Sequence, residues 1–182
     1  VFLEEGLAEA TKRAKGIKEV GVGAIVYNML SMGREHDIAF SWDAALSVQG
    51  NSAPYIQYAF VRAKAILEKA GVKGEATLTT ARLASNARQD NYKLEAASHE
   101  ARLLKYIAHY PEAVRQAHIL NAPHIIATFL NNFAQEFSRF YDAVPVLAEG
   151  ESHALRVALV AASAQVIKNG LWLLGIEVPS RM

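Results

Sequence analysis

Tyr55, Tyr58 and Arg62 fall at i, i+3 and i+7, so on a helix they share a single edge, and Lys69 continues that edge two turns on. Two phenol rings and a guanidinium on one edge suit unpaired nucleobases. A base lying on an aromatic face gains about 1–3 kcal/mol, and a planar arginine can stack beside it or grip phosphate. The same tyrosines equally suit packing against a neighbouring helix with their hydroxyls at the rim. Spacing alone leaves both readings open.

Other residues with chemical potential are weaker candidates. The chain has no cysteine, which excludes a disulfide framework, a thiolate–zinc or iron–sulfur site and a cysteine nucleophile. None of its histidines forms a His-x-x-x-His pair, and Glu95 with His99 at i, i+4 falls short of the ligands a metal needs. Gly21-Val22-Gly23 lacks the third glycine and the preceding strand of a dinucleotide turn and reads as a flexible helix entry. Asp37 and Asp43 read as caps or solvated charges. Lys12, Arg13, Lys15 and Lys18 form the densest basic cluster, which reads as a solvated helix end. No nucleophile–base pair or phosphate loop is visible, which disfavours an intact small enzyme.

These residues must be positioned by a chain of 182 residues, 52% hydrophobic and 20% charged, enough for one core without staples. Net charge is +1, with the small basic excess confined to the part before Tyr110, so any nucleic-acid contact must be local. No apolar run approaches the ~20 residues of a membrane span. Val1 to Leu3 is no signal peptide, and a start on Val1 suggests a piece of something longer.

The periodicity predicts an all-α fold. Phe2–Lys15 reads as a helix ending at Gly16, and Gly21–Ser31 has helical apolar spacing. Ile38–Trp42 is the one strand candidate. Asn51 or Ser52 can cap a helix with Pro54 in its first turn, running to Ala70 before Gly71. Its core stripe is Ile56, Ala59, Phe60, Ala63, Leu67 and Ala70, with Gln57, Lys64 and Glu68 on a solvated face. Gly71–Asn91 reads as a long loop. Ser98–Ala108 and Pro111–Leu120 read as two short helices. Asn121 with Pro123 starts another, whose Ile125, Ile126, Phe129, Leu130, Phe133, Phe137, Phe140 and Val144 make a core stripe that also contains Tyr141. Ala143–Ser152 is a loop, and Ala154–Leu174 is a last helix ended by Gly175. Arg156, near its start, is expected to pair with a carboxylate such as Glu151.

Several of these residues carry a resemblance. Gly50–Arg62 (GNSAPYIQYAFVR) is similar to the Gly-Asn-Thr-x-Pro-Tyr-x-Gln-Tyr-x-x-x-Arg segment of arginyl-tRNA synthetases, and Asp37–Asp43 (DIAFSWD) to their Asp-x-x-Phe-Asp-Trp-Asp. Phe137–Leu147 (FSRFYDAVPVL) resembles Phe-x-x-Phe-Tyr-x-x-x-Pro-Val-Leu, and Arg156–Met182 resembles the family's closing segment. The resemblance runs from about Gly21 to the end. Ser41, Ser52 and Ser180 depart mildly from it, Pro145 stands where some relatives have tryptophan, and His153 replaces the Asp of Asp-Ala-Leu-Arg and receives no role.

The resemblance implies a helical anticodon-binding domain over 50–182, preceded by a stub of the catalytic body over 1–49. The family's His-Ile-Gly-His and Lys-Met-Ser-Lys signatures are missing from these residues, so the fragment is expected not to activate arginine or need a cofactor, although the intact class I enzyme uses ATP and Mg. Carried over residue by residue, Tyr55, Tyr58, Arg62, Tyr141 and Met182 fall on positions that meet the anticodon loop. The implied partners are the anticodon stem-loop of tRNA-Arg and the catalytic domain, with no membrane, in the cytoplasm. Every arginine anticodon has C at its centre, so bases stacked on Tyr58 and Tyr141, with that C read by Arg62 or backbone groups, would suit the code. The alternative is a helical protein-interaction module of the same ancestry.

Overall fold

Capping and packing turn these patterns into helices at most of the expected places. The computed structural model describes residues 2–14, 17–72, 98–150 and 152–182. Its helices are α1 (Phe2–Arg13), α2 (Lys18–Leu30), the single turn α3 (Trp42–Ala45), α4 (Ala53–Lys69), α5 (His99–Leu120), α6 (His124–Ala143) and α7 (His153–Leu173), with no strand among the described residues. Residues 73–97 lie outside that description, and with them most of the expected loop and the Glu95–His99 pair.

Ser52 rather than Asn51 caps α4, its hydroxyl oxygen accepting from the Tyr55 backbone N–H at 3.3 Å while its own proton goes to the Ser47 carbonyl. Gly71 leaves the helix at φ +74°, where only glycine is unstrained. α6 turns Ile126, Leu130, Phe133, Phe137 and Phe140 into the core, and α7 is buried along most of its length between its neighbours. Together α4, α5, α6 and α7 form the bundle, and α2 lies along α4 with α1 packed on α2.

Four expectations are corrected. Ile38–Trp42 is no strand: Ile38 and Phe40 are exposed, and the chain instead folds the Phe40 ring edge-on to Trp42, 4.9 Å between centres, before one helical turn. α5 is continuous through Pro111 rather than two helices. Proline removes one hydrogen bond, but Tyr106, Ile107 and Tyr110 before it and Ala117 after it join one cluster against α6, and that burial outweighs the lost bond. The glycines of Gly21-Val22-Gly23 lie inside α2, where a Cβ on Gly21 would run into the Ala10 carbonyl of α1 and one on Gly23 would meet the Gln57 amide at 3.0 Å. They are contact points, not a flexible entry. Gln57 itself is fully buried rather than solvated, because α2 covers the side of α4 that a free helix would show to water.

Candidate nucleic-acid interface

The exposed edge of α4 meets the last turn of α6. Arg62 places its guanidinium carbon 4.9 Å from the centre of the Tyr58 ring and 4.5 Å from that of Tyr141, so one cation touches two aromatic faces from two helices. Its Nη2 donates to the Tyr58 hydroxyl at 3.0 Å, and Nη1 stands 3.9 Å from the Asp142 carboxylate. Tyr58 is 40% exposed and Tyr141 38%. For Tyr141, whose place in the α6 stripe suits core and surface alike, the structure therefore gives a surface position: the buried face is carried by Phe137 and Phe140.

Beside this stack opens a cleft of ≈ 330 Å³ lined by Arg62, Lys69, Tyr141, Val144, Pro145 and Leu147, among others. That is the small end of the ~300–1,000 Å³ typical of ligand pockets. Its walls are mostly apolar and its two cations are Arg62 and Lys69, a combination that fits a flat heterocycle joined to an anionic backbone. Arg62 has five N–H donors and spends one on Tyr58, so donors remain for a base edge.

Tyr55 lies one turn earlier and is half-buried against the core, its hydroxyl 3.5 Å from that of Ser138 on α6. It adjoins the stack along α4 but gives part of its ring to packing. Met182 enters none of these contacts; it is exposed at the end of the 176–182 tail. Arg156 pairs with a carboxylate, as expected of an arginine near a helix start: its Nε donates to Glu100 of α5 at 3.3 Å, and Nη1 reaches the Pro145 carbonyl at 3.4 Å. It braces the cleft wall from below, while Glu151 lies outside the described residues. Sequence reading misses Asp142, and Glu100 as the partner of Arg156, because these pairs lie 80 and 56 residues apart in the chain. Nδ1 of His153 is buried without a hydrogen-bond partner among the described residues.

Elsewhere, Arg13 pairs with Glu9 at 2.6 Å and lies 5.1 Å over the Trp42 ring, so the basic cluster is partly engaged, while Lys12 and Lys18 are exposed. Asp37 and Asp43 are exposed. Among the described residues no group of three His, Asp or Glu could hold a metal, and no helix is long and apolar enough to cross a membrane.

Comparison with known proteins gives the fold its relatives. The arginine–tRNA ligase of Thermococcus sibiricus is 41% identical over 198 residues, covering 99% of this chain and 30% of that protein. That of Chloroflexus aggregans is 41% identical over 202 residues, covering 100% of this chain and 33% of that one. The solved arginyl-tRNA synthetase of Thermus thermophilus superposes with a TM-score of 0.82 at 31% identity over 98% of this chain and 32% of its own. The chain thus spans about a third of the length of the relatives it matches. The model of the DALR anticodon binding domain matches residues 56–182, from the first buried turn of α4 to the last residue. The chain belongs to the DALR anticodon binding domain family.

Proposed function

We propose that this chain recognises the anticodon loop of tRNA-Arg on behalf of an arginine–tRNA ligase, an aminoacyl-tRNA synthetase of class I acting in protein biosynthesis. The ATP-dependent, Mg-dependent ligation belongs to the catalytic body of that protein, in the cytoplasm. Residues 1–49 are the end of that body or its connector, and 50–182 the recognition domain. The observation that carries the reading is the Tyr58–Arg62–Tyr141 stack, exposed beside a basic-edged cleft. Bases splayed from the loop stack on the two rings, Arg62 supplies donors to the central C, Tyr55 extends the aromatic edge, and Met182 makes an apolar contact from the tail.

Titration with a tRNA-Arg anticodon stem-loop, and with the same stem-loop carrying U at the central position, tests this. Binding should favour the C form and weaken steeply from low to moderate salt, as phosphate contacts require. Equal affinity for the two loops would count against base reading. Affinity indifferent to salt, together with a tight protein partner at the same tyrosines, would favour the interaction-module alternative.

A further inference from the structure

Gln57 is the glutamine of the Gly50–Arg62 segment and the neighbour of Tyr58, yet it faces the other way. It is 0% exposed, and its Nε2 donates to two backbone carbonyls, Glu19 of α2 at 3.0 Å and Glu177 of the C-terminal tail at 2.8 Å. An amide nitrogen has two hydrogens, and both are used. The orientation is forced, because turning the amide over would aim its oxygen at two acceptors. The cost of this choice is visible in Oε1, which is buried with no partner among the described residues. Space for the amide comes from Gly23, where a Cβ would stand 3.0 Å from both Nε2 and the Ile176 methyl group. So one side chain joins segments 38 residues before it and 120 after it, at a point where α2 has given up its own side chain.

The consequence concerns the tail. Val178 packs on the core and Pro179 is buried, whereas Ser180, Arg181 and Met182 are exposed. Glu177 is the fastening point just before those exposed residues, and the fastener grows from the residue beside Tyr58.

We propose that Gln57 is a positioning residue: its buried amide locks the 176–182 tail to α4 and α2 and thereby sets where Met182 stands relative to the Tyr58 edge. Its RNA half rests on the anticodon reading above. A glutamate could not serve, since a carboxylate would face two carbonyl oxygens, and an asparagine is one methylene short.

The test uses Gln57→Met, which keeps length and bulk but has no donors, in the full 182-residue chain, alone and with Met182→Ala. Hydrogen exchange is read first, without RNA. The amide of Ile176, which donates to the Leu171 carbonyl at 2.9 Å, should exchange at least about tenfold faster in Gln57→Met, while those of Phe133 and Phe137 in α6 stay slow. Affinity for the anticodon stem-loop should fall about five- to tenfold, the effect of one or two net hydrogen bonds, and Met182→Ala should absorb that loss, so that the double variant is no weaker than Met182→Ala within about twofold. Should Gln57→Met loosen the whole bundle, Gly23→Ala replaces it, pressing on the amide from α2 while leaving the glutamine in place, with the same tail-specific exchange expected. Unchanged tail exchange overturns the lock. Faster tail exchange with unchanged affinity, or losses from the two substitutions that simply add, overturns the positioning role. A parent chain that binds no stem-loop overturns the recognition reading and the RNA half of this proposal, and the exchange comparison then decides the lock by itself.

Discussion

Arg62 of α4 and Tyr141 of α6 are joined face to cation, the guanidinium carbon 4.5 Å from the ring centre, and the side of Arg62 turned to Tyr58 makes a second such contact at 4.9 Å. The arginine is therefore a spacer between two rings as much as a charge. A lysine at this position would keep the charge and lose the plane, and each exposed cation–π contact is worth about 0.5–1 kcal/mol. Arg62→Lys should weaken stem-loop binding by about five- to tenfold while leaving the salt dependence nearly unchanged, because the number of cations is the same. A titration in which the lysine variant matches the parent would show that only charge counts at this edge.

Tyr58→Ala removes a ring with a free face and should cost about 1–3 kcal/mol of binding, in proportion to one stacked base. Tyr55→Phe, by contrast, should change affinity by less than about twofold, since it removes only a long 3.5 Å contact to Ser138 and leaves the half-buried ring in place. Fluorescence of a stem-loop labelled with 2-aminopurine beside the central base would separate the two: quenching should fall in Tyr58→Ala and persist in Tyr55→Phe. Equal quenching in both variants would remove Tyr58 from the stacking surface.

Tyr27 offers a pH test. Its hydroxyl lies 2.6 Å from Asn51 Oδ1 and 3.0 Å from the Ala127 carbonyl, tying α2 to the residue before the cap of α4 and to α6, and burial pushes the phenol well above its ordinary value of 10.0. The folded state thus holds its proton more tightly than the unfolded one. That contribution is intact below about pH 10, and stability falls as pH rises above it, because only the unfolded chain ionises readily. Urea unfolding of Tyr27→Phe should show a loss of about 1 kcal/mol at pH 7.5 from the missing hydrogen bond, shrinking or reversing by pH 10.5. Burial raises Tyr110 as well, so the informative quantity is the difference between parent and variant. A gap that stays constant across this window would contradict the assignment.

Local chemistry made much of this legible in advance. The Ser52 cap, Pro54 in the first turn, the Ile56–Ala59–Ala63–Leu67 stripe and the aromatic face of α6 each depend on residues within a few turns of one another, and each stands as the spacing predicts. Tyr58 and Arg62 could be placed on one edge for the same reason. What local rules could not supply was who lies opposite. Gln57 looked solvated because Glu19 and Glu177 are remote in sequence, Pro111 looked like a boundary because the burial that carries α5 through it comes from α6, and the Ile38–Trp42 run looked extended although it finds no strand to pair with among the described residues. The pairing of Arg62 with Tyr141 belongs to the same class, since it exists only once α4 and α6 are side by side.

Glu136 shows how such a cross-helix contact should register in stability. It is a carboxylate on α6 with only 5% of its side chain exposed, held by Arg102 of α5 at 3.0 Å and by Arg139, one turn along its own helix, at 3.2 Å. A buried carboxylate with its partner removed is costly, but both arginines are 45% exposed or more, so water can partly replace either of them. The two should still differ. Arg139 rejoins solvent at little cost when cut back, and its pair lies within one helix, so Arg139→Ala should stay within about 0.5 kcal/mol of the parent. Arg102 also anchors α5, whose face through Tyr106 and Tyr110 packs on Phe129 and Phe133, so Arg102→Ala should cost about 1–2 kcal/mol in urea unfolding. Glu136→Met, which removes the charge and fills its volume, should recover most of that loss in the Arg102→Ala background, because the penalty comes from the unpaired carboxylate rather than from the missing arginine. If the methionine variant deepens the loss instead, the arginine's contribution is packing of its own stem against α6, and the ion pair is incidental to the joining of the two helices.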